Sequence, residues 1–266
     1  IKRYYAVADN TITNAFKEDL ITRATGSNMG ASDVLETFVI HGQTSASISA
    51  TNAEQARILI QFPIDKLLTD ISDGVVPSSS VEYRLKMFNA PHANTTPLSY
   101  SLDVAMISKP WSEGRGLDMD EYTDIGSSNW EEKEKNIKWS KAGCDYNGNS
   151  THSSSYFLSG GLENIDLNVD FAVSKWRARV GAATNYGFVI KHADNVISGA
   201  LGSFYTKKFF GRTSDFFHKR PYLEARWNSC RKDNRGNFVV SSSLFPAADN
   251  INTLYLYNVV RGELKN

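Results

Sequence analysis

Val81-Glu82-Tyr83-Arg84-Leu85-Lys86-Met87-Phe88 alternates apolar and polar side chains along its length. Side chains of a strand point to opposite faces in turn, so this pattern reads as a half-buried strand. Working outward, Ser99–Ile107 alternates in the same way and stops short of Pro110. Upstream, Arg57-Ile58-Leu59-Ile60-Gln61-Phe62-Pro63-Ile64 is the strongest apolar run. Its Pro63 lacks a backbone donor and suits an edge or a strand end. Val34–Ile40 is another candidate, and Ile1–Ala8 reads as a first strand. Downstream come Ile165–Val169, Tyr186–Lys191, Ser203–Phe209 and Arg220–Trp227. In the last of these Tyr222, Glu224 and Arg226 share one face, and Leu223, Ala225 and Trp227 share the other. One stretch breaks the rhythm. Asp170–Val180 sets Val169, Val173 and Trp176 at helical spacing, with Asp170 able to cap one short helix. Strand after strand with a single helix implies an all-β antiparallel sandwich rather than alternating βαβ units.

Between Trp111 and Ser155 the character changes to Gly, Ser, Asn and acidic residues, with aromatics at Trp111, Tyr122, Trp130, Trp139 and Tyr146. So long a connection is not idle in a compact domain. An ordered loop pinned by buried aromatics is expected, each Trp burying on the order of 200 Å2.

The 266 residues suffice for one large sandwich with an appendage. Lys+Arg and Asp+Glu both total 29, and that balance speaks against nucleic-acid binding through a broad basic surface. No apolar run approaches the ~20 residues of a membrane-spanning helix, so no membrane association is expected. The opening residues are too short and too polar a run for a signal peptide, and without an initiator Met the natural start is expected a residue or more upstream. Cys144 and Cys230 stand far apart without metal-type spacing, which reads as two free thiols. The polar stretch Ser229–Asn237 suggests a boundary, giving a sandwich over 1–235 and a C-terminal β extension over 236–266. That extension, with strand-like runs at Phe238–Val240 and Thr253–Arg261, is too short to build its own core. It reads as a docking segment or the start of another β domain.

Several segments, in order, resemble the DNRLRE-type jelly-roll modules of tailed-phage virion proteins and bacterial surface proteins. Ala8–Thr13 looks like the opening strand, Asn28-Met29-Gly30 like the next turn, and Arg57–Phe62 like the Arg-x-Leu-Leu-x-Phe strand. Trp111-Ser112-Glu113-Gly114 is similar to the Trp-Ser-Glu-Gly motif, Asn185–Ile190 to the Asn-Tyr-Gly-Phe strand, and Arg220–Ala225 to the Arg-Pro-x-Leu-Glu strand. Gly116–Tyr122, Ser128-Asn129-Trp130 and Tyr205–Phe210 look most like the virion members, and Asp233-Asn234-Arg235 repeats part of the family string. The resemblance implies a jelly roll. Physically, Trp111 is placed to cap an open end of the sandwich, and Glu113 to bond loop backbone or an arginine such as Arg57 or Arg220.

Candidate chemistry is sparse. Glu113, Asp118, Asp120, Glu121 and Asp124 form an acidic loop of the kind calcium uses, and Asp145–Asn149 is a second partial match. Neither has the Gly and terminal Glu of a calcium-binding loop, so a solvated acidic loop is the simpler reading, with no metal and no cofactor. His41, His92, His152, His192 and His218 are scattered, and no nucleophile motif appears, so no catalytic residue is assigned. Trp130, Trp139 and Tyr146 are candidates for a sugar-stacking platform, against the simpler reading that they bury to hold the loop. Lys207–Arg212 and Phe216–Arg220 mix basic and aromatic residues as single-strand nucleic-acid sites do, but an apolar interface patch explains them equally well. The expectation is a non-enzymatic, homo-oligomeric structural protein of a virion whose partners are other virion subunits. The alternative is a glycan-binding module of a secreted or cell-surface protein.

Overall fold

The computed structural model describes residues 1–42, 53–93, 97–117, 127–178, 184–199, 203–230, 232–237, 242–260 and 262–265. The chain divides into two compact units, Ile1–Arg226 and Trp227–Asn266. The first begins with β1 (Lys2–Tyr5), β2 (Ala8–Thr13), β3 (Val34–Ile40), β4 (Glu54–Gln61), α1 (Ile64–Ser72), β5 (Val81–Met87) and β6 (Tyr100–Ile107). Short strands β7 (Glu132–Glu134), β8 (Ile137–Lys138) and β9 (Tyr146–Asn147) follow, then β10 (Ser153–Leu158), β11 (Ile165–Asn168) and α2 (Asp170–Ala178). It closes with β12 (Phe188–His192), α3 (Asp194–Ile197), β13 (Phe204–Phe210) and β14 (Tyr222–Trp227).

The fold is an all-β antiparallel sandwich. One sheet has the order β1-β14-β5-β11; the larger runs β10-β6-β12-β4-β3-β13, with β2 also on β4 and β9 also on β6. The chain crosses repeatedly between them in jelly-roll manner: β4 to β5, β5 to β6, β10 to β11, β11 to β12 and β13 to β14. In the smaller sheet the alternation of Val81–Met87 is realised as written. Tyr83, Leu85 and Met87 are buried, and Ile165 and Leu167 stand opposite Met87 and Leu85. On the other face Arg84 and Lys86 both pair with Asp166, and Arg3 and Arg226 flank Glu224. This sheet has one dry face and one wet one.

The centre of the larger sheet is buried on both faces. In β4 every residue from Glu54 to Ile60 is buried, and its partners Phe188, Val189 and Ile190 are fully enclosed. Ile58, Ile60, Phe188, Ile190, Leu102 and Val104 share the inner face. Leu59, Val189, Ala105, Ile107 and Ile12 point outward, into a second core supplied by Trp130, Trp139 and Cys144. The long connection is therefore a third layer of the molecule.

Several expectations are corrected. The run read as Arg57–Ile64 is a central strand that starts at Glu54 and ends at Gln61. Pro63 then takes the N-cap position of α1, a helix absent from the sequence reading. Proline is tolerated where a helix starts because the donor it lacks has no helical acceptor there. α1 buries Ile64 and Leu67, one turn apart. α2 forms in the expected place and sets Trp176 against Phe188 with ring centroids 5.1 Å apart, but Asp170 is its first residue rather than its cap and accepts from the Tyr83 N–H and the Asn168 amide. The expected single helix thus has two companions, α1 and the one-turn α3. Ile1–Ala8 is not one strand: β1 joins the smaller sheet and β2 the larger. The Trp111–Ser155 connection contains three short strands.

The second unit forms a small hairpin of β15 (Asn258–Val260) and β16 (Glu263–Lys265), so among the described residues of the run Thr253–Arg261 only Asn258–Val260 is a strand. The run Phe238–Val240 lies outside the described residues.

Candidate binding surfaces

The outer face of the larger sheet organises the polar chemistry. Strand register places Arg57 beside Ile12, and Lys191, Asp103 and Ser155 in a row across β12, β6 and β10. Arg57 is buried and donates to the Gly143 carbonyl at 2.7 Å and to Gln55 Oε1 at 3.0 Å. Its guanidinium sits 4.8 Å from the Trp130 ring centroid, a cation–π contact inside the second core. The Trp139 indole N–H donates to the Asn129 carbonyl at 2.8 Å, and that of Trp111 to the Tyr186 carbonyl at 2.8 Å. These bonds let the indoles be buried without an unmet donor. Cys144 is enclosed in the same cluster, where burial pushes its thiol up, and both cysteines are free.

The three-residue sugar platform is accordingly not formed. Trp130 and Trp139 are 6% and 5% exposed and serve as the core of the third layer. Tyr146 alone stays half-exposed, with Arg57 and Lys191 rising from the sheet toward its ring at 5.9 Å and 5.5 Å.

The segments that carry the family resemblance meet at one end of the sandwich. Asn28 donates to the Glu113 and Ser128 carbonyls and accepts from Gly116 N–H at 2.8 Å. Gly114 has φ +81°, and a Cβ there would lie 2.5 Å from the Asn28 amide, so only glycine fits. Gly187 has φ +83° and would meet the Ile60 carbonyl at 2.0 Å, which explains the glycine within Asn185–Ile190. Glu113 accepts the Asp9 N–H at 2.7 Å and takes both guanidinium donors of Arg212. Its arginine is thus Arg212, not the expected Arg57 or Arg220. Arg220 instead donates to the Ser214 carbonyl at 2.7 Å. Asp9 is fully buried with one oxygen accepting from Arg212 N–H, and desolvation raises its carboxyl to about 7.

Of the acidic loop, Asp118, Asp120, Glu121 and Asp124 lie outside the described residues, and Glu113 is engaged as above. Asp145 accepts from the N–H groups of Ser140 and Lys141, a turn role. Among the described residues no cluster of three His, Cys, Asp or Glu side chains is arranged to hold a metal ion. His192 is buried, and desolvation lowers its imidazole to about 3.

The basic–aromatic stretch commits its charges to partners within the chain. Lys207 is fully buried and donates to Asn89 Oδ1, the Gly161 carbonyl and the Glu163 carbonyl at 2.6, 3.0 and 2.8 Å. Lys208 pairs with Glu36 and Arg212 with Glu113, while Lys219 lies against the Phe210 and Phe216 rings. Cations so committed leave little charge for a phosphate backbone. Apolar rings remain outside: Phe216 and Phe217 are 54% and 57% exposed, with the Phe217 ring tilted against Tyr5 at 4.8 Å between centroids.

The second unit carries the larger exposed surface. Leu244, Phe245, Ile251, Leu254, Leu256 and Val259 are all between 65% and 91% exposed. Asp233 and Arg235 there form only a local exposed ion pair. The chain matches no family model and no curated protein sequence.

Proposed function

We propose that this protein is a non-enzymatic structural component of a tailed-phage virion that holds neighbouring subunits through protein–protein interfaces. The observation that carries the reading is the row of large apolar side chains from Leu244 to Val259, exposed in a unit with little core of its own. Apolar area left in water at roughly 25 cal/mol per Å2 is recovered when a partner covers it. Phe216 and Phe217 supply a second patch of the same kind on the sandwich. A chain that repeats around a particle has such surfaces covered by neighbours or by copies of itself. The virion setting is supported by the resemblance of Trp111–Gly114, Asn185–Ile190 and Arg220–Ala225 to jelly-roll modules of that origin. A non-catalytic role is supported by the carboxylates Asp9, Glu113, Asp166 and Glu224, each committed to backbone or arginine partners.

The test is mass spectrometry of purified particles from the parent phage, alongside particles carrying Leu244→Asp, Leu254→Asp and Leu256→Asp together. The chain is expected at stoichiometric level in the first and depleted in the second. Absence of the chain from purified particles overturns the proposal.

A further inference from the structure

Two adjoining clefts open on the outer face of the larger sheet and share Tyr146 as a common wall. One, of about 410 Å3, lies between β10, the strip after β9 and the start of α3. The other, of about 310 Å3, lies over Ser108 and the turn at Ser140 and Lys141. Both volumes fall in the range of small-molecule sites, ~300–1,000 Å3. The floor of the first is made of small side chains, Ala105, Gly148 and the serines of β10, which is why a hollow exists beside the Tyr146 ring.

The chemistry of the walls is specific. Lys191 is buried and donates to Asp194 Oδ1 at 2.7 Å and to Asp103 Oδ2 at 3.3 Å. Ser155 donates to the other oxygen of Asp103 at 2.6 Å. Each carboxylate has about four lone-pair directions, so Asp103 and Asp194 keep acceptor capacity on the cleft side. Serine hydroxyls line both clefts and act as donors and acceptors alike. Summed over the two clefts the charges cancel, with Lys191 against Asp103 and Asp194 in the first and Lys109 and Lys141 against Asp145 in the second. A charged ligand spanning both clefts meets no net attraction there. The Tyr146 ring covers Arg57 and Lys191 on its sheet side and lines the two clefts with the rest of its surface.

An uncharged ligand with many hydroxyls and a flat apolar face fits this combination, and two clefts sharing one ring call for more than one such unit in a row. We propose that this groove binds a neutral oligosaccharide, with a pyranose ring stacked on Tyr146, hydroxyls bonded to Asp103, Asp194 and the β10 serines, and the next unit over Ser108 and Ser140. This site is independent of the apolar surfaces assigned to neighbouring subunits.

The experiment is calorimetric titration of the full chain with cello-, chito-, malto- and manno-hexaose up to ~10 mM, which reaches millimolar dissociation constants. At least one hexasaccharide is expected to bind. Tyr146→Phe keeps the ring and retains that affinity within about threefold, whereas Tyr146→Leu weakens it by at least about tenfold. Ser150→Arg, a crowding change at an exposed position, weakens binding with an unchanged melting temperature. No heat or shift with any of the four sugars overturns the proposal, as does affinity that survives Tyr146→Leu and Ser150→Arg.

Discussion

Asp9, Glu113 and Arg212 show how a single buried carboxyl sets a pH dependence. Asp9 titrates near 7 in the fold against 3.8 for the ordinary group, chiefly because burial disfavours its charge. The folded state therefore holds the proton more tightly than the unfolded chain. The stability this contributes is complete below pH 3.8 and is lost as pH rises through about 7. His192 works in the opposite sense: its folded value of about 3 lies below 6.5, so stability is lost as pH falls between those two values. Asp9→Asn isolates the first effect. Melting temperatures of the variant and the native chain, measured from pH 4 to 8, are expected to show a steeper decline toward pH 8 in the native chain. Parallel curves would refute the assignment. Lys207 makes a second case at this scale, since its buried ammonium serves three acceptors, Asn89 Oδ1 and the Gly161 and Glu163 carbonyls. Each buried polar group left unmet costs about 1–3 kcal/mol. Lys207→Met is expected to lower unfolding free energy by roughly 3 kcal/mol or more in urea titration, and a change under about 1 kcal/mol would show that water replaces it.

At the level of elements, the third layer is the feature with the clearest energetic consequence. Trp130 and Trp139 cover the outward side chains Ile12, Leu59 and Val189, so truncating either opens a cavity over the centre of the sheet. Trp139→Ala is expected to cost ~3–5 kcal/mol and to speed amide hydrogen exchange in β4, β6 and β12. Unchanged exchange there would mean the layer contributes no cover. Much of this element structure was legible in the residues. The alternation of Val81–Met87 foretold a sheet with one wet face, and the density of aromatics between Trp111 and Tyr146 foretold a pinned connection. α1 was hidden because Pro63 ends a strand and begins a helix at once, while Ile64, Leu67, Leu68 and Ile71 already stand at helical spacing. The role of Arg212 was out of reach, because Glu113 lies ninety-nine positions away in sequence and pairing at that distance is set by topology. The clefts around Tyr146 were equally hidden, since small residues that leave room look in sequence like any turn-rich strand.

At the scale of the whole molecule, the buried core lies in the sandwich, whereas the C-terminal unit leaves Leu244, Phe245, Leu254 and Leu256 exposed. The sandwich class followed from the repeated strand signals. The central claim is that residues 227–266 are held by another subunit in an assembled particle. Cross-linking mass spectrometry of purified particles tests it most directly. The account predicts inter-chain links from Lys232 and its surroundings, lost when Leu244, Leu254 and Leu256 are replaced by aspartate. Links confined to the chain's own residues would contradict it.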